Sequence, residues 1–456
     1  MSTRALRLAL AAAFAVALAF ARPAARADAP PGRPTARADA PPGRPELAKL
    51  LAETDAIAAT VSKLRGLPVK RPLVRSVVTR EQVTRRVLER MDEEKSAQEI
   101  LAEQRAFQRL GLLPAEFDYK KLVLDLLTEQ IAGFYDPKPK ALYLADWLPV
   151  ETQKMVMAHE IDHALQDQSF DLLAFLLAEE KNADATLARQ ALVEGDGVAL
   201  MIEYLIAQLA PDAVAAIWAD PAIVDTMSAQ LSSQQGGAEL ARAPRVVREA
   251  LLFPYLDGLR FVAAARRTGA WSVIDAMFAR PPASTEQILH PEKYVTGEAP
   301  HALAARKLPS LVGHTPLWEN VMGELMVRVL LEEHGVPADA ARKAAAGWGG
   351  DRLQVLAPAP GKDSGAPTDL VAVWWTSWDT EQDAAEAQAA LGSAARTFAS
   401  SRSKVNEGAY APYRDATGDV TFVERRGRRI VVVFGAPPDA VKKLRADAWR
   451  APRTRR

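Results

Sequence analysis

The sequence predicts an α+β protein that is mainly α: a helical body with one small hairpin, then a small C-terminal β-α-β-β-α unit. Three observations lead there. Apolar residues recur at helical period over 46–65, 80–93, 96–110 and 117–131, and helical patterning dominates again from 149 to 280. The stretch 132–146 alternates and carries Asp136-Pro-Lys-Pro-Lys140 at its centre, which reads as a hairpin. After Gly361 the pattern changes to a strand at 369–376, a helix at 379–400, a hairpin at 419–424 and 428–434, and a helix at 437–448.

The N-terminus reads as a targeting segment. Arg4 and Arg7 precede an apolar stretch, Leu8 to Ala21, that is too short for a membrane span, and Ala25-Arg-Ala27 offers a cleavage site. The segment Ala25–Pro34 recurs as Ala36–Pro45, and its Pro and Gly content reads as a tether. Residues 198–218 are apolar but hold Glu203 and Pro211, so no stable membrane span is expected there. There is no Cys, which excludes disulfides, thiol catalysis and a lipid-carrying N-terminal Cys. Lys plus Arg balances Asp plus Glu, 57 against 57, so nothing points to nucleic acid. The expected location is exported, in the periplasm or secreted, with an uncleaved anchor as the runner-up.

Chemistry concentrates at residues 159–163, His-Glu-Ile-Asp-His, inside a helical stretch. His159 and His163 are four positions apart, so both imidazoles leave one face of the helix. That spacing suits two ligands of a tetrahedral Zn²⁺. Glu160 lies off the ligand line and can act as a general base toward an attacking water. Met155, Val156, Met157 and Leu165 mark the segment as buried, where two His and a Glu need partners. The third ligand is expected at Glu194, a lone acid among Ala191, Leu192, Val193, Val198 and Leu200. Glu179 and Glu180 are rivals at a polar boundary. Asp196 is two residues on and can take no more than a supporting role. Gly195 and Gly197 are expected to let this helix approach the first.

These two segments resemble the gluzincins, zinc metallopeptidases that carry His-Glu-x-x-His and a Glu on a second helix. Thirty residues between His163 and Glu194 agree with that clan. Further stretches resemble uncharacterised exported bacterial members of it: Gly133-Phe-Tyr-Asp-Pro-Lys-Pro-Lys-Ala-Leu-Tyr-Leu, Pro281 to Tyr294, and Gly347-Trp-Gly-Gly-Asp-Arg352. The resemblance implies a zincin-like helical catalytic core and a peptide or protein substrate, with a strand beside the active helix pairing with that substrate. It also shows a departure. Thermolysin-like enzymes carry an Asp four residues after the ligand Glu, where this chain has Val198, so support for the first His must come from elsewhere.

A hydrolase also needs a donor for the developing oxyanion. His290 is the first choice, ahead of His301, His314, His334, Tyr255 and Tyr294. The expected organisation is a signal peptide at 1–27, a Pro-rich repeat linker at 28–45, a zinc metallopeptidase domain with its N-terminal helical part at 46–356, and an α+β unit at 368–450. The alternative reading is a non-catalytic, zinc-containing binding or envelope assembly protein on the same fold.

Overall fold

The computed structural model describes residues 45–94, 96–179, 182–234, 238–400 and 409–450. The leader and most of the repeat tether lie outside them. The chain is mixed α and β and mainly helical.

Four helices open it: α1 (Pro45–Arg65), α2 (Arg80–Glu94), α3 (Ala97–Arg109) and α4 (Tyr119–Gln130). Their positions follow the apolar period closely. Ser96 starts α3 with a capping box to Glu99, which satisfies two of the free amides at the helix start. A short strand between α1 and α2, β1 (Val74–Val78), carries no alternation strong enough to announce it. It pairs in parallel with β3 (Ala141–Ala145), which pairs antiparallel with β2 (Gly133–Asp136). The hairpin is therefore the core of a three-stranded sheet of order β1-β3-β2.

Next comes α5 (Val150–Phe170), which carries the His-Glu-x-x-His motif. The short α6 (Leu172–Leu177) leads to α7 (Ala183–Leu209), which carries Glu194. Helices α8 (Val214–Ala219), α9 (Pro221–Gln234) and α10 (Ala238–Arg242) follow, and then α11 (Arg245–Arg266). Among the described residues, the most extensive helix–helix packing joins α7 and α11. A Cβ on Gly195 would lie 2.2 Å from the Gly258 carbonyl oxygen, and one on Gly258 would lie 2.2 Å from that of Ala191. Only glycine lets the two backbones touch in this way. Gly195 thus serves α11, whereas Gly197 serves α5: a Cβ there would lie 2.7 Å from Cε1 of His159. The expected approach to the first helix belongs to Gly197 alone.

Helices α12 (Ser272–Ala279), α13 (Thr285–Leu289) and α14 (Pro291–Thr296) lead into a six-stranded antiparallel sheet. Its strands are β4 (His314–Asn320), β5 (Trp348–Pro358), β6 (Val371–Trp378), β7 (Tyr410–Arg414), β8 (Val420–Arg426) and β9 (Arg429–Ala436), in the order β4-β5-β6-β9-β8-β7. Helices α15 (Gly323–Glu333) and α16 (Ala338–Ala345) join β4 to β5, α17 (Glu381–Phe398) follows β6, and α18 (Val441–Trp449) closes the chain. The expected β-α-β-β-α order corresponds to β6, α17, β8, β9 and α18. The sheet reaches further back: β4 and β5 come from the segment assigned to the peptidase domain. Asp351 of β5 accepts the backbone N–H groups of Met322 and Gly323 and the indole N–H of Trp348, tying the start of α15 to the sheet.

The alternation of β6 divides its tryptophans between two faces. Trp374 and Trp378 join the main core, which also holds Ile161 of α5, Leu192 of α7 and Leu259 of α11. Trp375 joins a second core with Phe422 and Leu444, and its indole donates to the Ala448 carbonyl. One face of the C-terminal sheet is therefore continuous with the helical body. Among the described residues, no helix is long and apolar enough to cross a membrane. Glu203, within the apolar stretch of α7, is held by the Trp218 indole and Arg266.

Candidate metal centre

The helix α5 is buried along most of its length. Val156, Ile161 and Leu165 are fully buried, and so are His159, Glu160, Asp162 and Gln166. Each of these polar groups loses its water and must find a protein partner.

His159 and His163 converge on Glu194. The two Nε2 atoms are 2.9 Å apart, and each lies 3.3 Å from Oε2 of Glu194. Three donor atoms thus share one point, all from buried residues. They fit a zinc ion. Bonds of ~2.0–2.1 Å at a tetrahedral angle separate donor atoms by about 3.3 Å. The two His–Glu separations have that value, and the His–His separation is a few tenths shorter. Two imidazoles and a carboxylate also suit the chemistry of zinc.

The charges agree with a tight cluster. Burial opposes the charged form of His163, but Glu194 and Glu160 outweigh it and carry its pKa up to about 10. Burial would raise Glu194, but the two imidazoles hold it down at about 2. His159 is pushed down by burial and by the neighbouring His163. Glu160 is raised to about 8, first by burial, with Glu194 adding repulsion and His163 opposing. Oε2 of Glu160 accepts the Tyr135 backbone N–H at 2.7 Å, while Oε1 is buried without a hydrogen-bond partner.

Support for His163 comes from its own helix. Its Nδ1 lies 2.9 Å from Oε1 of Gln166. The amide nitrogen of Gln166 donates to Asp162 at 2.9 Å and to Asp196 at 2.8 Å. Asp196 in turn takes a two-pronged bond from Arg65 of α1, at 2.8 and 2.9 Å, and Arg65 also reaches Asp275 at 2.7 Å. Arg65 is fully buried, and these three acids raise its pKa further despite the cost of burial. Asp196 is thus linked to His163 through Gln166. His159 has no comparable side-chain partner: its Nδ1 is buried against the Gly197 backbone, without a hydrogen bond of good geometry.

The other expected residues are engaged elsewhere. His290 is partly exposed and bonds Glu324 at 3.0 Å, with Glu292 at 3.7 Å, so it is engaged away from the His159–His163–Glu194 cluster. The residue brought there is Tyr255 of α11. Its ring lies 6.5 Å from that of His159, nearly parallel, and Glu194 and Glu160 both act to raise its hydroxyl pKa after burial. Tyr255 follows Pro254 on a buried helix, and no local pattern marks it as functional. His301 pairs with Ser377, His334 with the Leu110 carbonyl, and Tyr294 with the Arg280 carbonyl. Glu179 is half-buried and faces Arg189, and Glu180 lies outside the described residues. Strand β2 is an edge strand, but its four residues are buried and the Tyr135 N–H is committed to Glu160. A second group of acids, Glu286, Glu298 and Asp379, surrounds the Lys293 ammonium, which pairs with all three.

Beside the cluster opens a cleft with about 150 Å³ of space for water-sized groups. Glu194 and Tyr255 belong to its lining. Residues 314–445 match a family described only as a domain of unknown function, DUF8575. The match begins at the first residue of β4 and ends within α18, so it follows the six-stranded sheet. Comparison with curated proteins and with solved structures gives no match.

Proposed function

We infer that the chain is an exported zinc-dependent peptidase. The observation that carries this reading is the convergence of His159, His163 and Glu194 with a buried Glu160 on the next position of the same helix. His159, His163 and Glu194 would hold the metal. Zinc bound there would supply a Lewis acid for a peptide carbonyl and for the attacking water.

The remaining work falls to the protein's side chains. Glu160 takes the proton of the attacking water and delivers it to the leaving amine. Its raised pKa suits a group that must both accept and return a proton near neutrality. Tyr255 replaces His290 as the donor to the oxyanion, because it adjoins Glu194 while His290 is held by Glu324. Gln166 holds His163 with its Nε2 edge toward Glu194.

A non-catalytic zinc protein has no use for Glu160 in this position, where a buried acid costs stability. The test is digestion of a peptide library by the zinc-loaded protein, with and without a chelator, beside Glu160→Gln. Cleavage that needs both the metal and Glu160 is the expected result. A library left intact by zinc-loaded protein would remove the peptidase reading and favour a binding or assembly role.

A further inference from the structure

A separate cavity lies on the C-terminal sheet, on the face that turns away from the helical body. Trp375 of β6 and Val431 of β9, neighbours in the ladder, form its sheet side. Arg429 lies two positions before Val431, so it shares that face. Leu303 and Arg306 border the cavity from the segment that crosses the sheet, and Trp449 borders it from the end of α18. The crossing segment is strapped down: the His301 N–H donates to the Gly349 carbonyl at 2.6 Å, and Arg352 donates to the Leu303 carbonyl at 3.2 Å.

The charges around this cavity have one sign. Arg306 and Arg429 are the charged residues of its lining, and no acid belongs to it. Among the described residues, neither guanidinium has a carboxylate partner. Burial lowers the pKa of Arg306 and Arg429 lowers it further, as two like charges at one cavity must. Arg306 is held in place by donating to the Arg450 carbonyl. Its Nε and the indole N–H of Trp449 are both buried without a hydrogen-bond partner. Buried donors of this kind call for an acceptor.

The neighbouring hairpin adds to the field. Its turn reads Arg425-Arg-Gly-Arg-Arg429. Arg425 bonds Gln388, Arg426 pairs with Glu424 and lies over the Trp449 ring, and Arg428 donates to the Asp379 carbonyl. Arg429 is the one that lines the cavity. The space for water-sized groups is about 200 Å³. At about 30 Å³ per water this is room for about six waters, which suits a small oxyanion with a few further atoms and not a folded segment. A carboxylate offers two oxygens in one plane, which a single guanidinium fork already matches. Donors from three separate elements suit the several oxygens of a phosphate.

We propose that this cavity binds a phosphate group, held by Arg306, Arg429 and the Trp449 indole. The site stands apart from the metal centre and does not depend on the peptidase reading.

The test is calorimetric titration of the zinc-loaded full chain with inorganic phosphate, phenyl phosphate and acetate. Phosphate and phenyl phosphate should bind, and acetate should bind at least tenfold more weakly. Arg306→Gln and Arg429→Gln should each weaken phosphate by about tenfold to a hundredfold, the effect of losing a hydrogen bond to a charged group. Arg429→Lys should recover part of that loss. Arg428→Gln, on the same turn but outside the cavity, should bind as the wild type does. Flotation with phosphatidylcholine vesicles, with and without phosphatidic acid, separates the sources. Flotation that needs phosphatidic acid and is reversed by inorganic phosphate assigns a lipid headgroup; phosphate binding without flotation assigns a soluble phosphate. No phosphate binding, acetate bound as well as phosphate, or an equal loss in Arg428→Gln overturns the proposal. So does binding that persists in both Arg306→Gln and Arg429→Gln, since it then belongs to the zinc or to another surface.

Discussion

Nδ1 of His163 and Oε1 of Gln166 lie 2.9 Å apart, and this contact decides which nitrogen of His163 faces Glu194. The Gln166 amide cannot turn around, because its nitrogen is committed to the carboxylates of Asp162 and Asp196. Oε1 must then accept, so Nδ1 of His163 carries a proton and donates to it, and Nε2 is the nitrogen whose lone pair would face a metal once its own proton is lost.

Gln166→Leu should therefore lower zinc affinity by about 10–100-fold, the usual effect of removing a group that orients a ligand. Competition with a chromophoric chelator measures it. Imidazole ¹⁵N shifts supply a second readout: His163 should lose its single tautomer in the variant. Unchanged affinity and an unchanged tautomer would mean that Glu194 alone orients the ring.

Arg65 carries a larger stability effect. It is the cation facing Asp196 and Asp275, with Asp162 at 4.0 Å. Arg65→Met leaves buried carboxylates without their cation, and breaking such a network typically costs about 3–5 kcal/mol. Urea unfolding of the variant should show a loss of that order, and Arg65→Lys should recover only part of it because it cannot form the two-pronged bond. A Met variant as stable as wild type would refute the network's importance.

These two residues mark how far the sequence could be read. His159, Glu160 and His163 are legible because their geometry is local, set by the pitch of one helix. Glu194 is legible because a single acid on an apolar helix demands a reason. Gln166 was open to the same argument, three positions after His163 on a buried face. Arg65 was not, since 131 residues of chain separate it from Asp196. The helices of residues 45–130 followed their period, but several strands did not show theirs. Pro316 lies in β4, Gly349 and Gly350 in β5, and Pro412 in β7, and register shifts at Pro316/Trp318 and Trp348/Gly350 break the alternation. The turn-like setting that recommends His290 serves a bond to Glu324 instead.

Stability should depend on pH through Asp184, at the far end of the cleft. Burial pushes its carboxyl up to about 7, against two hydrogen bonds from Thr285, with Asp351 and Glu324 adding repulsion. The unfolded value is about 3.9. The folded state therefore binds this proton more tightly, and the stabilisation it brings is complete below about pH 4 and lost as pH rises toward 7. The slope for one proton is at most about 1.4 kcal/mol per pH unit. Asp184→Asn removes that slope. Subtracting the two stability curves, both measured with zinc, isolates it; a difference that is flat between pH 4 and 7 would contradict the assignment.

Glu160→Gln keeps the volume and the ligands, so zinc should remain while peptide cleavage falls by about 10²–10⁴-fold. Turnover near that of the wild type, measured on the same peptide, would assign the proton transfer to another group.

The most direct test of the central claim is zinc content by elemental analysis after dialysis against a weak chelator. The account expects one zinc per chain in the wild type and in Glu179→Ala, and almost none in His159→Ala, His163→Ala or Glu194→Ala. One zinc retained in Glu194→Ala, or zinc lost in Glu179→Ala, would contradict a site made of His159, His163 and Glu194.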